Sequence, residues 1–130
     1  MLKAIAADPD RSMVVIDPRR SETADLADYW LGVAPGTDAF LLAAIGAVLV
    51  EEHLTADRWL TENTEGAVET QAAFGSIPVG DFAQRCGIDE ARIRDVARRL
   101  ARASSVVYRK RQPGSFPGRL SPVPISDASG

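Results

Sequence analysis

Two short stretches carry residue types that could hold a charged or hydrogen-bonding ligand. The first is Asp17-Pro18-Arg19-Arg20 and the second is Gly36-Thr37-Asp38. A carboxylate just past the end of a strand can accept from ribose hydroxyls or from the N1–H and N2–H donors of guanine. Adjacent arginines offer forked donors that match pyrophosphate oxygens. Glycine lets a ligand approach the backbone, and a helix starting behind it supplies free N–H groups and a positive dipole end. Asp38 suits a base edge or a sugar, because a carboxylate repels phosphate. Each stretch taken alone also fits a plainer description. Asp-Pro is a common turn starter whose charges can be solvated, and Gly-Thr-Asp is an ordinary helix cap.

Other chemistry has little to stand on. The one cysteine, Cys86, excludes an internal disulfide and an all-cysteine metal site. The lone His53 leaves no second imidazole for zinc. Cys86 sits among small residues and reads as an apolar filler; a small enzyme acting through it would lack any nearby base in sequence. His53, ending a helix after Glu51-Glu52, suits the negative end of that dipole. Trp30 and Trp59 lie in apolar patterns and read as packing residues.

The elements that must position the two stretches follow from patterning. Leu2 to Ala7 fits the tail of a helix, closed by the turn Asp8-Pro9-Asp10. Met13 to Ile16 is an apolar, β-branched run without alternation, as in a parallel strand covered on both faces. Asp17-Pro18 ends it, and Ser21 caps a short helix, Glu22 to Ala27. Tyr29 to Ala34 is a second extended segment. Pro35-Gly36 turns the chain, and Thr37 caps a long helix from Asp38 to Glu52 that is apolar on nearly every side and should be largely buried.

Helical segments continue over Ala56–Glu62 and Gly66–Phe74, followed by a loop from Gly75 to Gly80. Asp81 to Cys86 forms a short helix closed by Gly87 in a C′ role. Asp89 caps the next helix, with Ile88 stapled onto Ile93. There Ile93, Val96, Ala97, Leu100 and Ala101 make one buried stripe. Its arginines spread around the other faces, explained by intrahelical pairs Glu90–Arg94 and Asp95–Arg99. Ser104 to Tyr108 fits a further parallel strand. Residues 109–130, rich in Pro, Gly and Ser, read as a disordered tail.

With 130 residues and 45% hydrophobic content, one modest core and a single domain are expected. A net charge of −3 and a pI near 5.1 argue against nucleic-acid binding. There is no secretory signal pattern and no stretch long enough to span a membrane, so a soluble cytoplasmic chain is expected.

Taken together, Val14-Val15-Ile16-Asp17-Pro18-Arg19-Arg20-Ser21-Glu22-Thr23-Ala24, then Ala27-Asp28, then Pro35-Gly36-Thr37-Asp38-Ala39 closely resemble a segment of the molybdopterin oxidoreductases. This is the dimethyl sulfoxide reductase family, with its formate dehydrogenases and nitrate reductases. The likeness extends from about Leu2 to Tyr108 and takes in Gly87, Ile88, Asp89, Ile93 and Arg94. It implies an α/β fold, a Rossmann-like partial parallel sheet with flanking helices, over residues 1–108. In that family the corresponding domain binds one half of a bis(molybdopterin guanine dinucleotide) cofactor, and the resemblance implies the same role here. Ile16, Asp17, Pro18, Arg19 and Arg20 would form the first cofactor loop and Gly36, Thr37 and Asp38 the second, near the guanosine and pyrophosphate end.

The family's iron–sulfur cysteines and molybdenum ligand lie upstream of the matching region and have no counterpart here. The resemblance therefore implies a truncated fragment, inactive alone, whose partner would be the remainder of such an oxidoreductase. The contrasting expectation is a helical interaction module, or a subunit completed by a partner chain, that uses an apolar face.

Overall fold

The computed structural model describes residues 1–109 and the backbone of a strand at 123–124. The element order is α1 (Leu2–Ala6), β1 (Val14–Ile16), α2 (Glu22–Asp25), β2 (Tyr29–Leu31), α3 (Asp38–Glu51), α4 (Asp57–Asn63), α5 (Ala67–Gly75), α6 (Val79–Cys86), α7 (Glu90–Arg102), β3 (Ser105–Val106) and β4 (Val123–Pro124). The fold is mixed and mostly helical, with a small parallel sheet. β1 and β2 pair in parallel, Val14 opposite Tyr29 and Ile16 opposite Leu31. The expected parallel strand over Ser104–Tyr108 is corrected: β3 pairs antiparallel with β4 in a separate two-strand sheet. β-branched residues signal a strand but not the direction of its partner. Beyond that pairing, the disordered tail expected for 109–130 lies, from residue 110 on, outside the described residues.

The core lies where α3, α6 and α7 meet the end of β2. Leu31, Val33, Leu41, Ala44, Val48, Cys86, Ile93, Val96 and Ala97 are all buried there. The α7 stripe therefore faces inward as its spacing requires, and Ile88 joins Ile93 in the same cluster. Cys86 is fully enclosed and its thiol donates to the Ala83 carbonyl at 3.4 Å, so it serves as apolar filling. α3 is less enveloped than its composition suggests, because Leu42 is 48% exposed. Two further expectations need correction. Trp59 is 49% exposed on α4 and is no packing residue, and α6 begins at Val79, inside the expected loop.

α3 and α6 both close with the same hydrogen-bonded turn. The Gly87 and Ile88 N–H groups donate back to Gln84 and Ala83, and those of His53 and Leu54 to Val50 and Leu49. This is the Schellman pattern, whose C′ residue is left-handed. Gly87 meets that demand at φ 72°, whereas His53 adopts φ 55° as the one non-glycine residue with positive φ among the described residues. His53→Gly is therefore expected to raise stability by about 0.5 kcal/mol, and Gly87→Ala to lower it by about 1 kcal/mol. Thermal or urea denaturation of the two variants checks the opposite signs.

Ion pairs tie α7 to the end of α3. Arg94 reaches Glu90 at 2.8 Å, Glu52 at 3.1 Å and Glu51 at 3.3 Å, while Arg98 reaches Glu52 at 2.7 Å. The expected Glu90–Arg94 pair is present. In place of Asp95–Arg99, Asp95 lies 3.8 Å from Arg98, and Arg99 turns to the Ser12 hydroxyl and to Tyr29, stacking 4.7 Å from that ring. The Arg98 hydrogen bond, opposed by partial burial and aided by Arg94, holds Glu52 below its ordinary value of 4.5. Ionised Glu52 is the form the arginines bind, so its stabilisation is full above the unfolded value and is lost as pH falls through the lower folded one. Melting wild type and Glu52→Gln on both sides of pH 4.5 should show wild type the more stable above and the gap closing below.

Candidate functional site

Both candidate loops leave the parallel pair at its carboxyl edge, the first directly after β1 and the second through Gly32–Pro35 after β2. The Asp17 N–H donates to the Leu31 carbonyl at 3.2 Å and so continues the ladder one residue past β1. Asp17 Oδ1 then accepts from the Arg19 N–H at 2.9 Å, a tight side-chain turn that fits Asp before Pro. Pro18 and Arg19 are exposed, and Ile16 is 37% exposed beside them. Arg20 pairs through Nε with Asp25 at 2.7 Å and stacks 5.6 Å from the centre of the Trp30 ring. Ser21 caps α2 as expected, accepting from the Ala24 N–H at 3.3 Å.

The second loop is held from behind. The Ala34 N–H donates to the Cys86 carbonyl at 2.9 Å, which ties the loop to the end of α6. Gly36 has φ 76° and a side chain added there would meet nothing within 4 Å, so its backbone faces open space. Thr37 occupies the cap position of α3, but its hydroxyl donates back to the Ala34 carbonyl and does not cap the helix. The N–H groups of Asp38 and Ala39 consequently have no partner among the described residues. Asp38 is exposed. Asp89 likewise has the backbone of a cap without a side-chain bond.

Sequence reasoning missed the residues that join these loops to the rest. Trp30 donates its indole N–H to the Asp17 carbonyl at 3.0 Å, and Arg92 on α7 donates to the Trp30 carbonyl at 2.9 Å. Those contacts span 13 and 62 positions, a separation at which no local pattern exists. Near the start of α3, Arg85 lies 5.2 Å from the centre of the Phe40 ring and 5.9 Å from that of Phe82. Two surface hollows lie elsewhere: one is lined by Glu69, Thr70, Ala73, Phe74 and Ile77, the other by Tyr29, Asp95, Arg98, Arg99 and Arg102. Neither includes a residue of the two loops. No cluster of three metal-ligating side chains occurs among the described residues, and no described helix is long and apolar enough to cross a membrane.

A parallel strand pair that delivers its following loops to one edge is the arrangement in which α/β proteins hold ligands at strand ends. No family model matches the chain. Comparison with individual proteins is more telling. Formate dehydrogenase H of Escherichia coli is 32% identical over 93 residues, which are 72% of this chain and 13% of that enzyme. The assimilatory nitrate reductase catalytic subunit of Bacillus subtilis is 29% identical over 92 residues, which are 71% of this chain and 13% of the relative. The solved structure of acetylene hydratase from Pelobacter acetylenicus matches with a TM-score of 0.63 at 31% identity, covering 66% of this chain and 12% of that one. The chain is a homologue of part of the molybdopterin oxidoreductases. It spans about one-seventh of the length of the curated relatives it matches.

Proposed function

We propose that residues 1–108 are part of a Rossmann-like α/β domain that holds the guanosine diphosphate portion of molybdopterin guanine dinucleotide. Ile16, Asp17, Pro18, Arg19 and Arg20 would form one side of that seat and Gly36, Thr37 and Asp38 the other. When the cofactor is bound, its metal and pterin supply the redox chemistry, and the protein groups position it. The observation that carries this reading is the common edge: both loops follow the carboxyl ends of neighbouring parallel strands. The donor set fits the group. Among the described residues, Arg19 and the Nη atoms of Arg20 have no carboxylate partner and Asp17 keeps one carboxylate oxygen unbonded, and the open backbone at Gly36 admits close approach.

Alone, the chain would have no turnover, and the remainder of a cytoplasmic molybdenum-dependent oxidoreductase would be its partner. With half of the seat present, affinity for free guanosine diphosphate should be weak. Titration followed by amide NMR is expected to move signals of Asp17–Arg20 and Gly36–Asp38 only at millimolar nucleotide, with Asp17→Ala and Asp38→Ala each abolishing the shifts. Shifts confined to other regions, or submicromolar binding that ignores both substitutions, would overturn the reading.

A second reading, a helical interaction module completed by a partner chain, is favoured by the exposure of Trp59 on α4 and Val68 on α5, at 49% and 68%. Large apolar side chains left exposed on two successive helices are the feature such a partner would cover. It requires a stable complex with another chain that Asp17→Ala and Asp38→Ala leave intact.

A further inference from the structure

Trp30 lies in the middle of β2, half-buried, and four separate contacts converge on it. Its indole N–H donates to the Asp17 carbonyl at 3.0 Å, across the sheet. Its ring carries the Arg20 guanidinium at 5.6 Å, and its carbonyl accepts from Arg92 at 2.9 Å. On the side of the second loop, Gly32 passes so close to the ring that an added Cβ would sit 2.9 Å from Cζ2. The Arg92 bond is to backbone and would survive a change of side chain, so what tryptophan itself adds is the indole donor to Asp17 and the ring under Arg20. Phenylalanine would fill a similar place in the strand without the donor that reaches Asp17.

Asp17-Pro18-Arg19-Arg20 has few anchors of its own. The Asp17 N–H sits on the ladder, the Arg19 N–H turns back to Asp17 itself, and Arg20 pairs with Asp25, which is 60% exposed. An exposed ion pair of that kind contributes little. The orientation of the Asp17 peptide and the direction of Arg20 therefore depend on the indole beneath them. From this we infer that Trp30 is a positioning residue for the first loop: it clamps the Asp17 carbonyl and the Arg20 guanidinium against β2, in the orientation that presents them to a nucleoside diphosphate. The ligand in this statement rests on the cofactor reading above; the clamp itself does not.

Amide hydrogen exchange on the full chain tests the clamp without any ligand. Trp30→Phe removes the donor and keeps a ring. Gly32→Ala keeps the indole and its donor but crowds the ring with a Cβ 2.9 Å from Cζ2, pushing it aside. Both variants are expected to speed exchange at Asp17 and Arg19 by roughly fivefold, the effect of losing one ordinary hydrogen bond, while Ile93 in the core keeps its protection. Unchanged exchange at Asp17 and Arg19 in both variants would overturn the inference. So would an equal increase at Ile93, which would make Trp30 a packing residue alone. Guanosine diphosphate is then added to wild type and Trp30→Phe, with smaller loop shifts expected in the variant. Absence of shifts in wild type would count against the nucleotide reading, while the exchange rates would still decide the clamp.

Discussion

Leu41→Ala is expected to lower stability by about 3 kcal/mol, and Leu42→Ala, one residue further along the same helix, by less than about 0.5 kcal/mol. The chemistry removed is identical. Leu41 is fully buried among the α3, α6 and α7 side chains, whereas Leu42 is 48% exposed. Truncating Leu41 forfeits the transfer energy of its methyl groups and leaves a void that three packed helices can close only in part. For a domain of this size each kcal/mol corresponds to roughly 4–8 °C, so the Leu41 variant should melt more than about 10 °C below wild type. Paired thermal melts suffice. Similar losses at both positions would mean that α3 presents a different face to the core.

The second large effect concerns Gly46, in the middle of α3. A Cβ at this position would lie 2.5 Å from Cε1 of Phe74 on α5, closer than packed atoms tolerate. The glycine is what allows the Phe74 ring to lie on α3. Gly46→Leu cannot be accommodated there, and overpacking of this kind costs about 1–3 kcal/mol. α5 should lift away from α3, although Gln71 still reaches Asp57 on α4 at 2.8 Å. Gly46→Ala should be far milder. The half-buried ring can shift outward, and alanine recovers up to about 1 kcal/mol of helix propensity. Melting curves of the two variants, with proteolysis focused on α5, separate them. A leucine variant as stable as wild type would show that Phe74 does not pack on α3.

Local and periodic features were legible because they depend on neighbours in the chain. The stripe Ile93, Val96, Ala97 is buried as its 3.6-residue spacing requires. Gly87 closes α6 in the left-handed conformation its type suggests, and Ser21 caps α2. The paired motifs around Asp17 and Gly36 were enough to point to the molybdopterin oxidoreductases, and the comparisons agree. The same local chemistry misled where another partner competed. Thr37 has the cap position, yet its hydroxyl turns to Ala34. Arg99 leaves Asp95 for Tyr29 and Ser12.

Residue order alone determined where most helices form, which face of α7 is apolar, and which short motifs bear charge and free backbone. Those properties follow from side-chain type and helical period, and they survive without knowledge of distant residues. Only the tertiary structure decided that β3 runs against its partner, that Trp59 faces outward, that Arg94 and Arg98 clasp Glu52, and that Trp30 joins the Asp17 loop to α7. Each of these depends on which segments meet across a fold. Packing and the pairing of buried or half-buried polar groups settle that globally, beyond the reach of any window of sequence.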